Sequence, residues 1–317
     1  MLQIFYKMDG QIEVATEITA YADIKRENVL WIDLYNPSGD EKHQTEAFLG
    51  TEIQSRAQAE EIESSSRFYE TDAAIFANTN FLIPGPEEYT METVSIVISS
   101  RHNILTTIRE SPLRSFTDLQ RRMMFYPSRY PDGFIVFSSI LEQRVDLDAD
   151  MIELMAREIE QFNKKVSMEV DIDNEFLLDI NQLQENLMLV RENVVDKQRV
   201  LSALLKSSKC PNDIIKKMHI ILKDISSLIN HTNFNFERLE YLQNTAIGLI
   251  NLEQNKIMKV FTLVSLLLMP PTLITGFYGM NVELPVIGKW ADCLIIFLLM
   301  VVSIGVTLII FKKRKML

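Results

Sequence analysis

Two stretches near the C-terminus carry no charge, one between Lys259 and Glu283 and the other between Asp292 and Lys312. Val260 to Gly276 is almost wholly apolar or small, and Cys293 to Phe311 is a continuous apolar run. Each approaches the roughly 20 residues that a helix needs to cross a bilayer core. Backbone in lipid must satisfy its own hydrogen bonds, so both runs are read as spanning helices, over about 259–279 and 291–311. Flanking charge sets the orientation. Lys256 and Lys259 precede the first run, Lys312, Lys313, Arg314 and Lys315 follow the second, and the linker holds Lys289 against Glu283 and Asp292. The positive-inside rule then places both termini in the cytoplasm, in a multi-pass protein of the cell inner membrane. Asp9, Glu13, Glu17 and Asp23 near Met1 exclude a signal peptide.

The rest of the chain has a different texture. At 47% hydrophobic and 24% charged it is too apolar to be disordered. A net charge of -11 argues against nucleic acid as a partner. Two cysteines, Cys210 and Cys293, are too few for a disulfide scaffold or an all-cysteine zinc site. The fold class is read as α+β. Residues 1–130 form an α/β cytoplasmic domain, 131–255 a stalk of long helices, and 256–317 the two-span membrane domain. β-like runs lie at Ile4–Tyr6, Val29–Ile32, Ala74–Ala77, Val94–Ile98 and Ile104–Ile108. Helical stretches lie near 39–49, 52–62 and 113–126, the first opened by the turn Asn36-Pro37-Ser38-Gly39-Asp40. Between Gly133 and Pro211 there is neither Gly nor Pro, which predicts one long helix over about 135–205. A second runs from about residue 213 into the first span, the break falling at Ser207–Asp213.

Metal-loop patterns fail. Asp146, Asp148 and Asp150 alternate as in a calcium loop, but Met151 and Arg157 stand where an EF-hand needs Gly and Glu. Asp171, Asp173 and Glu175 fail likewise. Both sets read as an acidic, solvated helix face. His43, His102, His219 and His231 are scattered without zincin spacing, and there is no Walker A loop, so neither an enzyme nor an ATP-driven pump is indicated.

A heptad walk through the first span gives Asn255, Met258, Thr262, Ser265, Met269, Thr272 and Gly276. The same line backward gives Asn251, Gly248, Asn244 and Tyr241, whereas Leu239, Leu242, Ala246 and Leu249 lie on another face. A coiled-coil seam in water is Leu, Ile or Val. In a membrane, a polar line faces protein or a water-filled path, although small and hydroxyl residues also pack spanning helices together. One hairpin cannot enclose a pore, so a channel demands several copies, with the first spans inside and the apolar second spans facing lipid.

The first span ends in Gly276-Phe277-Tyr278-Gly279-Met280-Asn281. Tyr278-Gly279-Met280-Asn281 after an apolar helix, then a short loop, one more span and a basic C-terminus, resembles the CorA family of magnesium channels. The resemblance extends through Gly248–Lys256, Met269-Pro270-Pro271-Thr272-Leu273 and Glu60–Phe68, and is dense after about residue 235. It implies a homopentamer with an α/β cytoplasmic domain and a funnel of long helices. Gly279, Met280 and Asn281 would form the outer selectivity ring, Asn255 an inner amide ring, and Met258 and Met269 apolar constrictions. The family places a hydrophobic residue in the pore at Phe261, whereas the heptad selects Thr262; both stay open.

The chemistry is coherent with hydrated divalent cations. Mg²⁺ dehydrates reluctantly, and carboxamide oxygens can hold it through its water shell. Gly279 is expected to give the backbone freedom that aims Asn281 at the axis. The resemblance implies potential-driven Mg²⁺ uptake, with Co²⁺ and Ni²⁺ as further substrates, and closure when intracellular Mg²⁺ bridges acids at subunit interfaces. Candidates for that bridge are Glu60, Glu61 and Glu63, and Asp224 on the long helix. No resident cofactor is implied; Mg²⁺ is substrate and regulatory ligand. The outer loop departs from the family at Pro285-Val286-Ile287-Gly288, which lacks an acid. The alternatives are a zinc transporter of the same superfamily and a membrane-anchored scaffold without transport.

Overall fold

The computed structural model describes residues 1–54, 67–85, 89–168, 172–280 and 290–313. Its internal contacts divide the chain into two compact units, Met1–Gln243 and Asn244–Leu317. The first unit is built on a seven-stranded sheet of β1 (Leu2–Met8), β2 (Gln11–Ala15), β3 (Val29–Tyr35), β4 (Phe68–Glu70), β5 (Ala74–Ile83), β6 (Thr90–Ser99) and β7 (Leu105–Arg109). The order is β2-β1-β3-β7-β6-β5-β4. β3 and β7 run parallel, in the register Ile32 to Thr106, and the other ladders are antiparallel. All five β-like runs of the sequence fall on these strands. β2 and β4 were not anticipated. The β1–β2 hairpin closes on Asp9 and Gly10 at φ 51° and 81°, the positive dihedrals that a two-residue Asp-Gly turn supplies.

Seven α-helices are described: α1 (Ala20–Asp23), α2 (Gly39–Leu49), α3 (Arg114–Phe125), α4 (Gly133–Met168), α5 (Asn174–Leu204), α6 (Asn212–Tyr278) and α7 (Trp290–Lys313). Ser38 starts α2 with a capping box, its hydroxyl accepting from the Glu41 amide while the Glu41 carboxylate accepts from the Ser38 amide. Of the helix expected near 52–62, residues 52–54 are not helical and the remainder lies outside the described residues. One apolar cluster joins Leu2, Ile4, Val29, Ile32 and Leu34 with Phe48 and Ile53. An aromatic chain also runs from Phe5 to Trp31 (4.8 Å), Trp31 to Phe116 (5.6 Å) and Phe116 to Phe81 (5.8 Å), which docks α3 on the sheet. α4 begins against the start of β7, where the Gly133 amide donates to Asn103 O at 2.8 Å. A Cβ on Gly133 would stand 2.3 Å from that same oxygen, so this approach requires glycine.

Two expectations are corrected. The helix predicted over 135–205 is two helices, ending at Met168 and restarting at Asn174. Asp173 is extended, and its carboxylate accepts from the Phe176 amide at 2.9 Å; a residue read as solvated acid is an N-cap. Asp148 is also not on a solvated face, being 0% exposed. It pairs with Arg144, accepts from Asn193 Nδ2 at 3.0 Å and lies 3.4 Å from Lys197 Nζ. Lys197 in turn donates to Asn80 O at 2.7 Å, while Asp196 accepts from Thr79 Oγ1 and the Asn80 amide and pairs with Arg67. These charges on α4 and α5 meet the polar middle of β5, Asn78-Thr79-Asn80, which is buried inside an otherwise apolar strand. Burial holds the Lys197 ammonium down at about 8, against the pull of Asp148.

Candidate functional site

The second unit contains the end of α6 and all of α7. Their most apolar windows have mean hydropathies of 1.9 and 3.1, with 0% and 6% of each window buried. Phe261, Leu273, Phe297, Leu298 and Ile309 are all exposed. Apolar surface of that extent is held in lipid or against other copies, not in water. α6 keeps its helical course through Pro270 and Pro271. Neither proline can donate to the carbonyl four residues earlier, an arrangement that membrane helices tolerate.

The heptad line lies open along α6. Asn244, Gly248, Asn251, Asn255, Met258, Thr262, Ser265, Met269, Thr272 and Gly276 are all exposed, while Leu239, Leu242 and Ala246 on the other face are buried. Phe261 and Thr262 are both exposed, so the choice between them stays open. A recess of about 590 Å³ brings together Ser265, Met269, Thr272, Gly276 and Met280, with Leu268, Leu273 and Phe277 as its apolar edges. Within the line, Thr262 Oγ1 donates to Met258 O at 2.8 Å and Thr272 Oγ1 to Leu268 O at 2.7 Å. With their hydrogens engaged by the backbone, these hydroxyls present oxygen lone pairs outward. A row of acceptor oxygens with no formal charge suits the water shell of a cation.

α6 ends at Tyr278, one residue short of the span expected over about 259–279. The Gly279 amide still bonds Thr275 O at 2.9 Å. The expected freedom of Gly279 is not what the structure uses, because its φ is not positive. A Cβ there would stand 3.0 Å from Thr275 O, a tight approach to the last helical carbonyl. Met280 is described and exposed; Asn281 lies outside the described residues, as do Glu60, Glu61 and Glu63.

Asp224 is exposed on α6 within the first unit. Burial, followed by the charges of Glu142, Asp150 and Asp224, pushes the Asp146 carboxyl above its usual range, against the pull of Arg122. The structure thus gathers Asp224 with acids on α4 that sequence reasoning had set aside. Sequence spacing gave no signal for this, since Asp146 and Asp224 are distant along the chain. Among the described residues no group of three or more His, Cys, Asp or Glu is arranged to hold a metal ion.

Comparison with known proteins decides what kind of chain this is. Residues 26–313 match the family model for the CorA-like Mg2+ transporter protein. The chain belongs to the CorA family. It is 34% identical to the magnesium transport protein CorA of Wolinella succinogenes over 324 residues, covering all of both chains. It is also 34% identical to the protein of the same name from Campylobacter jejuni strain RM1221, over 99% of each. Its fold is similar to the complete CorA magnesium transporter structure from Methanocaldococcus jannaschii, with a TM-score of 0.79 at 21% identity, covering 99% of this chain and 98% of that one. A mixed sheet, long helices and two apolar C-terminal helices fit a CorA chain.

Proposed function

We propose that this CorA chain assembles as a homopentamer in the cell inner membrane and admits Mg²⁺ down the membrane potential. The reading rests on one observation: an exposed line from Asn255 to Gly276, small, polar or methionine throughout and free of charge, on a helix apolar enough to span a bilayer. Five first spans would surround the axis, each contributing this line, with α7 outside against lipid. Asn255 would ring the inner end, Met258 and Met269 would narrow the path and gate it by dewetting, and Gly279, Met280 and Asn281 would select at the outer mouth. Neutral oxygen rings bind a hydrated ion weakly enough to release it, which conduction requires. Two charges moving through 100 mV yield roughly 4.6 kcal/mol. Co²⁺ and Ni²⁺ would follow the same path.

In this reading residues 1–130 and 131–255 are the cytoplasmic domain and stalk, 256–317 the membrane domain, and both termini are cytoplasmic, with Lys256, Lys259 and the basic C-terminal cluster on that side. Intracellular Mg²⁺ would close the channel by binding acids between subunits. Asp224 is the described candidate for it: its charge adds to those of Glu142 and Asp150 in raising the Asp146 carboxyl, and a cation would relieve that repulsion.

The test is ion flux into liposomes carrying the purified full-length protein under imposed potential, comparing Mg²⁺, Co²⁺, Ni²⁺ and Zn²⁺. Potential-driven Mg²⁺ entry that Asn281→Ala abolishes, with the oligomer intact, supports the reading. Zn²⁺ entry in preference to Mg²⁺ favours the zinc-transporter alternative. Absence of flux from folded, oligomeric protein leaves the scaffold.

A further inference from the structure

The seam of α6 repeats methionine at a fixed interval. Met258, Met269 and Met280 follow one another 11 residues apart. Eleven residues make about three helical turns, so such an interval keeps side chains on one face. The three are 58%, 55% and 54% exposed. Met269 and Met280 line the same recess, with Ser265, Thr272 and Gly276. Among the described residues no hydrogen bond reaches any of the three sulfurs. Between Lys259 and Glu283 the chain has no carboxylate, imidazole or thiol. The metal donors of the seam are therefore of two kinds only, neutral oxygens and thioethers.

The two kinds sort cations. Oxygen suits hard ions such as Mg²⁺, which keep their water. Thioether sulfur is polarisable and selects soft ions of the Cu⁺ class. One thioether alone is a weak ligand, and 11 residues of helix set successive methionines about 16 Å apart, too far to share an ion. Copies around an axis remove that limit, because each level then brings several sulfurs toward one point. We propose that the seam carries a soft-cation site: rings of methionine that bind Cu⁺ or Ag⁺ and so block the path of Mg²⁺. The proposal rests on the homo-oligomeric channel reading above and assigns that path a class of inhibitor. An ion held by several sulfurs has shed its water and leaves slowly, and conduction stops where binding does not let go. Mg²⁺ competes poorly for sulfur, so raising it should not displace the blocker.

Silver is the probe, because Ag⁺ needs no reductant. The full-length protein carries Cys293→Ser, which removes the exposed thiol; Cys210 is buried. In liposomes in chloride-free nitrate buffer, Ag⁺ should block Mg²⁺ entry without relief from excess Mg²⁺. Met258→Leu with Met269→Leu keeps side-chain volume without sulfur and should need about tenfold more Ag⁺, each variant scored against its own silver-free flux. Met8→Leu with Met188→Leu, at exposed methionines off the seam, should leave the block unchanged. In detergent, the purified oligomer should bind one Ag⁺ per ring more than protein in which Met258, Met269 and Met280 are all replaced by Leu. Met269→Leu alone should lose one of these ions, which keeps the count readable if the triple variant fails to assemble. A conducting oligomer whose silver binding and block ignore these substitutions overturns the site and leaves the channel standing. One ion per methionine, instead of one per ring, overturns the shared ring. Silver held at the rings of a folded oligomer that conducts nothing supports the site and overturns the channel. A monomeric parent protein overturns both.

Discussion

α6 uses one heptad period in two opposite ways. In the first unit the line Ile214, Met218, Ile221, Ile225, Thr232, Asn235, Leu239 and Leu242 is buried and mostly apolar. In the second unit the line from Asn255 to Gly276 is small, polar or methionine, and exposed. The same inversion holds for charge. The first unit buries charges in matched networks such as Arg144–Asp148–Lys197 and Asp33–Arg109. In the second, between Lys259 and Glu283 the first span has none to bury. A buried charge fixes structure because removing its partner is costly. A neutral oxygen on an open seam leaves structure alone and remains available to something passing by. The two regions should therefore answer mutation differently, the first through stability and the second through transport.

The largest effect is expected in the first. Asp148→Ala leaves Arg144 and Lys197 buried without their acid and should cost about 3–5 kcal/mol, read as a fall in the thermal midpoint of the full-length protein by circular dichroism. Replacing Arg144, Asp148 and Lys197 together with apolar residues of similar volume should recover much of that loss. If Asp148→Ala is silent, the network is not what fastens α4 and α5 to β5. Gly133→Ala comes next, at about 3 kcal/mol, because a Cβ has backbone oxygen and nitrogen in its way rather than a side chain that can turn. A measured cost under about 1 kcal/mol would show that the α4–β7 contact yields easily.

How far the sequence announced each region follows from the range of the signals. β3, β5, β6 and β7 were legible as apolar β-branched runs, and α2 through its Ser38 cap, because these signals are local. The seam was legible for the same reason, since it repeats along one helix. Asp148 was misread because its partners Asn193 and Lys197 lie far along the chain, and an acid's burial is not written in its neighbours. Asn80 within β5 meets Lys197 from 117 positions away. The break at Asp173 could have been read from a capping acid ahead of an apolar helix. The Asp9-Gly10 hairpin likewise had a local signal that the sequence reading passed over. The acids gathered around Asp224 had none.

Lys197 supplies a smaller, pH-dependent prediction. Its ammonium titrates at about 8 when folded, against 10.5 for an unperturbed lysine. Between those values the unfolded chain binds more protons than the native one, so stability rises with pH across that window. Below about 8 both states are protonated, and this contribution is absent. The gain is at most about 3 kcal/mol. Denaturant titrations of the parent protein and Lys197→Met at pH 8 and pH 10 should diverge by that rise. Parallel curves would mean that Lys197 keeps an ordinary pKa inside the fold.

The smallest stability effect is the most discriminating. Thr232 and Thr272 stand on the same helix, and each donates its hydroxyl to a carbonyl within the preceding turn, Ile229 O at 2.8 Å and Leu268 O at 2.7 Å. Thr232 is fully buried in the first unit, and Thr272 is exposed on the seam. Valine has the same shape without the oxygen, and the backbone carbonyl keeps its place in the helix, so each substitution should change stability by less than about 1 kcal/mol. Transport should separate them. Thr232→Val should leave Mg²⁺ flux unchanged. Thr272→Val should lower it about tenfold, the order of one lost water-mediated contact of ~1.4 kcal/mol, because it removes an acceptor oxygen from the path of a hydrated ion. Equal flux from the two variants would break the contrast between buried line and open seam at the point where both threonines are otherwise alike.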